Sequence, residues 1–248
     1  MHNAAFQAMD MDAVYLAFDV EVAEKAIDAA KTLGIKGLSV TVPHKQAVMA
    51  CLDEIDKTAR AIGAVNTVKN LEDGRLSGIN TDWKGAMKAL KAVTDIAGRK
   101  AVVLGAGGSA RAVIFGLKQG GAIVHVANRT IEKAERLAAE FKCTFSNLKD
   151  IPEAGADILI NTTSVGMGKM AGLSPVEPHV TGWFKVVMDI VYGRTPTRLL
   201  QDAQKQGCTI IEGYNMLLYQ AVAQFEYWTG MNAPTKIMKQ ALFQEIRG

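Results

Sequence analysis

Apolar and polar positions alternate differently in the two parts of the chain. In the first part the apolar runs are short. AVYLAFDV, residues 13–20, reads as a strand, and EVAEKAIDAAKTLG, residues 21–34, as a helix closed by Gly34. KGLSVTV, residues 36–42, is the next strand. Its β-branched Val40, Thr41 and Val42 favour extended backbone, and Pro43, with no N–H to donate, ends it. CLDEIDKTARAIGA, residues 51–64, is helical or loop. VNTVKN and RLSGINTD pair as a hairpin across LEDG, and WKGAMKALKAV is a helix. From Lys100 the texture becomes strand, glycine loop, helix in KAVVLGAGGSARAVIFGLKQGG. Further apolar strands follow at AIVHVAN, ADILINT, KVVMDIV and CTIIEG, with helices IEKAERLAAEF and PTRLLQDAQKQG between them. Near-continuous apolar strands alternating with helices predict a parallel sheet covered on both faces. YNMLLYQAVAQFEYWTG and APTKIMKQALFQEI are two closing helices with no strand between them. The pattern predicts two α/β units with a boundary near Asp82, and periodicity leaves open which unit receives the closing helices.

Composition narrows the function. The chain has 248 residues, 49% hydrophobic, enough to bury the core of one large domain or two smaller ones. Its 28 basic and 25 acidic residues nearly cancel. With no basic block, this argues against nucleic acid or an anionic membrane as partner, and an anionic partner is expected to be small. Cys51, Cys143 and Cys208 lie far apart with no CxxC pair, which suits a reducing compartment. No apolar run approaches a membrane span, and MHNAAFQAMDMD lacks the basic flank and apolar centre of a signal segment, so a cytoplasmic protein is expected. The four histidines form no metal-ligand spacing, and no metal is expected.

The strongest local motif is GAGGSA, Gly105 to Ala110, between the strand AVVL and a helix. It fits G-x-G-x-x-A, in which the first glycine allows a tight turn, the second admits a pyrophosphate and the alanine lets helix and strand pack closely. The N–H groups opening the helix would face the phosphates. The following strand, IVHVA, ends in Asn128, Arg129 and Thr130 with no carboxylate for a ribose 2′-OH. Arg129 offers a donor fork for a 2′-phosphate, Thr130 a hydroxyl, and Lys133 lies nearby, so NADP is predicted over NAD. NTTSVGM, Asn161 to Met167, places small hydroxyl residues, Thr163 among them, at a strand's C-terminal end, where such sheets bind ligands. In the first unit Lys45, Asn66 and Asp82 all fall at strand ends. Singly they read as a surface charge, a turn residue and a helix N-cap. Together with a dinucleotide motif they are candidate chemistry.

SVTVPHK, AVNTV, GINTDWKG, GAGGSAR, NRT, NTTSVGM and MLLYQA, in this order along essentially the whole chain, resemble the shikimate dehydrogenases. The resemblance implies NADP-linked, reversible reduction of 3-dehydroshikimate to shikimate, in the route to aromatic amino acids. It implies a Rossmann-type parallel-sheet domain over residues 83–214 and a smaller N-terminal α/β substrate domain over 1–82. Residues 215–248 are implied to be helices that return to the substrate domain. Lys45 and Asp82 match the family's catalytic pair. Thr41, Asn66, Gln220 and Tyr192 match its substrate contacts. Gly105, Ala106, Gly107, Gly108 and Ser109, with Asn128, Arg129, Thr130 and Lys133, match phosphate and ribose contacts, and Ile190 and Gly213 match positions beside the nicotinamide. The expected partner is a small molecule, and the expected assembly a monomer or homodimer.

The chemistry agrees with this. A ketone receiving a hydride develops negative charge on oxygen and needs a proton, and an ammonium meets both needs. Lys45 is therefore read as acid and electrostatic stabiliser rather than as a strong base, with Asp82 orienting it. Ser39 stands where the family usually has asparagine, and Tyr214 and Asn215 where smaller or apolar residues are usual. In the family, the counterpart of HNAAF follows a first strand and an SxSP segment that holds the substrate carboxylate, so a start upstream of Met1 is expected. The alternative readings are a dehydrogenase of quinate or an aminoshikimate, and a non-catalytic dinucleotide-binding regulator.

Overall fold

The structure, a computed structural model, describes residues 1–153 and 155–247. The short apolar runs build a four-stranded sheet of β1 (Gly37–Ser39), β2 (Glu54–Ile55), β3 (Thr67–Asn70) and β4 (Leu76–Ile79), ordered β1-β3-β4-β2. The hairpin across LEDG forms, pairing Thr67 with Ile79 and Asn70 with Leu76 in antiparallel register. β1 is antiparallel to β3, and β2 parallel to β4. Helices α1 (His2–Ala8), α2 (Ala23–Thr32) and α3 (Lys57–Ile62) accompany the sheet. α3 starts where Asp56 accepts hydrogen bonds from the N–H groups of Thr58 and Ala59, and ends at Gly63 in the left-handed region. Ile27, Val48, Ala59, Val65, Val68 and Leu76 form the core here.

Three readings of the sequence change in this region. Residues 13–20 are not a strand. Both backbone groups of Tyr15 are taken by the Asn3 side chain, at 2.6 and 3.0 Å, so the segment pairs with an amide instead of a ladder. Val14, Leu16 and Phe18 remain exposed, and Tyr15 stacks on His2 and Trp228. The strand expected over residues 36–42 is only Gly37–Ser39 long, and the Val42–Pro43 peptide is cis. The stretch expected as helix or loop contains the short β2, whose two residues carry no periodicity.

The chain after Asp82 forms α4 (Asp82–Lys91), β5 (Lys100–Leu104), α5 (Gly108–Gln119), β6 (Ile123–Asn128), α6 (Ile131–Phe141), β7 (Thr144–Asn147), β8 (Ile158–Asn161), α7 (Pro178–Thr181), β9 (Val186–Asp189), α8 (Arg198–Lys205), β10 (Thr209–Ile211) and α9 (Gly213–Thr229). The six strands are all parallel, in the order β10-β9-β8-β5-β6-β7. Apolar side chains leave both faces of the sheet. One face packs Val103, Ile158 and Ile160 against Ile114 and Leu117 of α5, and the other packs Val102, Leu104 and Leu159 against Leu199 and Leu200 of α8. β7 escapes the sequence reading because Thr144, Ser146 and Asn147 leave Phe145 as its single apolar residue, without the apolar run of the other strands.

The two compact units are Met1–Asp82 with Gln220–Gly248, and Trp83–Tyr219. The second change of unit falls at Tyr219, inside α9, where the sequence places it at Tyr214. From Gln220 on, α9 packs on the four-stranded sheet: Trp228 Nε1 donates to the Val68 carbonyl at 2.9 Å and Tyr227 to Ser77 at 2.9 Å. Gly37 permits this, because a Cβ there would lie 2.5 Å from Trp228 Nε1. α10 (Thr235–Arg247) packs against α1.

Candidate active site

The turn after β1 and the loops flanking β3 and β4 bring a lysine, a carboxylate and an amide together within the unit Met1–Asp82/Gln220–Gly248. Lys45 Nζ lies 2.6 Å from Asp82 Oδ2, and both residues are buried, at 9% and 4% exposure. Asp82 is the first residue of α4, and its N–H is held by the Asn80 side chain at 3.0 Å. Its other oxygen, Oδ1, accepts from Asn66 Nδ2 at 2.8 Å. Asn66 Nδ2 also faces Thr81 Oγ1 at 3.0 Å and Gln220 Oε1 at 3.3 Å. Asn66 Oδ1 accepts from the Thr81 N–H at 2.7 Å and the Thr67 hydroxyl at 2.8 Å. An ammonium held by a carboxylate, away from bulk water, is a fixed positive charge able to stabilise a developing oxyanion and to give up a proton.

Lys45, Asp82, Asn66 and Gln220 are thus one cluster. Thr41 is outside it: its side chain is exposed, and its carbonyl accepts the His44 N–H at 2.9 Å. His44 has a structural contact, its Nε2 lying 2.7 Å from the Val20 carbonyl oxygen. Among the described residues no group of His, Cys, Asp and Glu could hold a metal ion.

The glycine loop lies between β5 and α5. Gly105 has φ +108°, and a Cβ there would sit 2.8 Å from Thr162 Oγ1 and 3.1 Å from Thr163 Cγ2, so glycine is required both by conformation and by contact. Gly107 precedes α5, and a Cβ on it would meet no protein atom within 4 Å. Protein packing therefore does not demand glycine at 107, whereas close approach of a pyrophosphate would. No side chain caps α5, Ser109 is nearly buried in its first turn and Ala110 is fully buried. These features fit a dinucleotide. At the end of β6, Asn128 Nδ2 donates to the Thr130 carbonyl at 2.8 Å, and Arg129, Thr130 and Lys133 are exposed. Thr130 is the N-cap residue of α6 but makes no side-chain cap hydrogen bond.

Ile190 and Gly213 are brought against each other. A Cβ at Gly213 would lie 2.4 Å from the Ile190 carbonyl oxygen and 2.6 Å from that of Val191. Thr163 belongs to the turn after β8, where its hydroxyl donates to Asn161 Oδ1 at 2.7 Å. Tyr192 is half exposed and lines a cavity of about 420 Å³ with Gly166, Met167, Arg194 and Thr197.

Two further residues, one in each unit, carry no motif in the sequence. Asp189 is fully buried at the end of β9. Its Oδ1 accepts from Asn161 Nδ2 at 2.9 Å and the Val191 N–H at 3.0 Å, and its Oδ2 from the Thr197 hydroxyl at 2.6 Å. Burial pushes its carboxyl up to about 6, although these hydrogen bonds pull the other way. The signal was an acid inside the apolar run KVVMDIV. The second is Gln224, at 2% exposure on α9, whose signal was an amide inside an apolar helix pattern.

Residues 1–68 match the shikimate dehydrogenase substrate binding domain, residues 87–169 the shikimate / quinate 5-dehydrogenase family, and residues 213–243 the shikimate 5′-dehydrogenase C-terminal domain. The chain is 44% identical over 248 residues to a shikimate dehydrogenase (NADP+) of Pyrococcus abyssi, covering 99% of this chain and 92% of the relative. It is similar to a shikimate dehydrogenase crystallised with NADP+, with TM-score 0.91 and 42% identity over 99% of this chain and 89% of the other. It is also similar to the shikimate 5-dehydrogenase of Thermus thermophilus crystallised with NADP(H) and shikimate. There the TM-score is 0.88 and the identity 35%, over 98% of this chain and 92% of the other.

Proposed function

The chain belongs to the shikimate dehydrogenase family, and on that premise we propose that Lys45 and Asp82 perform the proton and charge chemistry of its reaction. The protein is an NADP-dependent oxidoreductase that reversibly reduces 3-dehydroshikimate to shikimate, a step of aromatic amino acid biosynthesis. NADPH, when bound, supplies the hydride. The Lys45 ammonium stabilises the oxygen that gains charge and delivers its proton, and in the reverse direction the amine accepts that proton. Asp82 holds the amine through Oδ2 and is itself held through Oδ1 by Asn66. Asn66 and Gln220 orient the ring hydroxyls, with Thr41 and Tyr192 as further substrate contacts.

For the cofactor, residues 105–109 and the opening of α5 hold the pyrophosphate. Asn128, Arg129, Thr130 and Lys133 take the ribose with its 2′-phosphate. Thr163 is a further cofactor contact, and Ile190 and Gly213 flank the nicotinamide. The working form is a monomer or homodimer in the cytoplasm, a setting that suits three free cysteines. Among the described residues no helix is long and apolar enough to cross a membrane.

The buried 2.6 Å contact between Lys45 and Asp82 carries this reading. It is tested by following nicotinamide absorbance with shikimate or quinate and with NADP or NAD. Turnover is expected with shikimate and NADP, and Lys45→Ala is expected to lower kcat by about 10²-fold or more with little change in KM. Normal turnover in that variant excludes the role. Quinate is the second reading, favoured by the shared shikimate / quinate match over residues 87–169. A non-catalytic regulator would bind NADP tightly and turn over neither substrate.

A further inference from the structure

We propose that Gln224 is a positioning residue for the Lys45–Asp82 pair, acting through Thr67 and Asn66; the proposal rests on the catalytic reading of that pair. Two backbone groups set the direction of every hydrogen bond in the chain of contacts. The Thr81 N–H can only donate, so the Asn66 atom 2.7 Å from it is the oxygen, and the Asn66 NH₂ faces Asp82. The Asn66 carbonyl can only accept, so the Gln224 atom 3.2 Å from it is the nitrogen. That nitrogen also donates to Thr67 Oγ1 at 3.1 Å, which leaves Thr67 to spend its own proton on Asn66 Oδ1 at 2.8 Å. Gln224 Oε1 accepts from the Ser39 hydroxyl at 3.0 Å. The donors therefore run one way, from Ser39 through Gln224, Thr67 and Asn66 to the carboxylate that holds Lys45.

Packing alone does not account for Gln224. It is 2% exposed on a helix whose neighbours Ala221 and Phe225 are fully buried, and a leucine would fill such a place without the cost of burying an amide. Its nitrogen donates to the Asn66 carbonyl and to Thr67, and its oxygen accepts from Ser39, while the same side chain also bonds the His2 ring. The titratable group beside it is His2, which burial lowers to about 4 while its side-chain hydrogen bond to Gln224 acts in the opposite direction, so no histidine charge competes at neutral pH. Without Gln224 the Thr67 hydroxyl is free to rotate, Asn66 loses one directed donor to its side chain and one to its carbonyl, and Asp82 is held less firmly.

The test compares Gln224→Leu, Thr67→Val and the double variant in kcat, in KM for both substrates, and in Tm. Each single change is expected to lower kcat about 5- to 10-fold, the scale of one net hydrogen bond, while KM moves less than about 2-fold, below that scale. The double variant should be no slower than the worse single one, because both cut the same chain of contacts. Thr67→Ser, which keeps the hydroxyl, should recover most of the rate. Losses that multiply, a loss confined to KM, or kcat of both singles within about 2-fold of the parent, less than one hydrogen bond is worth, overturns the proposal. If Gln224→Leu does not fold, Thr67→Val and Ser39→Ala decide by the same kcat and KM readings. Lys45→Ala run alongside separates the two claims: full turnover there removes the catalytic reading and this proposal together, whereas its inactivity with an unimpaired Gln224→Leu removes this proposal alone.

Discussion

Asp82 and Asp189 are both buried carboxylates under the functional loops of their units, and they are held in opposite ways. Asp82 has a cation 2.6 Å away and one amide donor. Asp189 has three neutral donors and, among the described residues, no cation paired with it, so desolvation dominates and its carboxyl rises to about 6. The first arrangement is an ion pair that the proposed reaction would use. The second ties the end of β9 to Asn161, Val191 and Thr197, and so shapes the loop that carries Ile190 and Tyr192. A buried acid is therefore paired with a cation in one unit and ties a loop in the other, and the partner's charge separates the two arrangements.

The largest effect is expected at Asp82. Asp82→Asn leaves the Lys45 ammonium buried without its counter-charge and should lower kcat by about 10²- to 10⁴-fold. NADP affinity, read by fluorescence titration, should stay at the parent value. A comparable loss of NADP binding would show that Asp82 acts on the cofactor side as well.

Asp189→Asn should do the reverse, changing stability rather than turnover, because an amide can still accept from the Val191 N–H. A carboxyl raised in the folded protein adds stability that is complete below its unfolded value near 3.8 and is lost as pH rises through about 6. Relative to the asparagine variant, the parent should lose about 3 kcal/mol between pH 3 and pH 7 on the scale of 1.36 kcal/mol per pKa unit. Urea unfolding of both proteins across that range measures it, and parallel curves would refute it.

Gly105→Ala tests whether the second unit depends on backbone where the first depends on side chains. The forced left-handed conformation and the contacts with Thr162 and Thr163 should cost about 1–3 kcal/mol of stability. NADP affinity should fall with it, while the Lys45–Asp82 cluster is untouched. Arg129→Ala is the mildest change. It should narrow the preference for NADP over NAD by about tenfold, the scale of a charge-assisted hydrogen bond to a phosphate, with a smaller effect at high salt.

The legible parts of the chain were those whose signals are local. GAGGSA between an apolar strand and a helix, the missing acid at the end of β6, and the LEDG hairpin each lie within a few residues. Residues 13–20 misled for a physical reason: alternation makes a strand only when another strand supplies the ladder, and here the Asn3 side chain takes both groups of Tyr15. Gln224 and Asp189 carry no such local signal, because a polar residue in an apolar run reads as an exception until its partners are visible.

The sequence by itself determined the elements, the parallel sheet and the dinucleotide turn, because periodicity, glycine conformation and strand-end chemistry act over a handful of neighbouring positions. Only the tertiary structure decided which polar residues meet. Lys45 and Asp82 are 37 positions apart, and Gln224 reaches Asn66 across 158. Such contacts exist only once burial makes every unmade hydrogen bond costly, and that cost depends on the folded surroundings rather than on any stretch of chain.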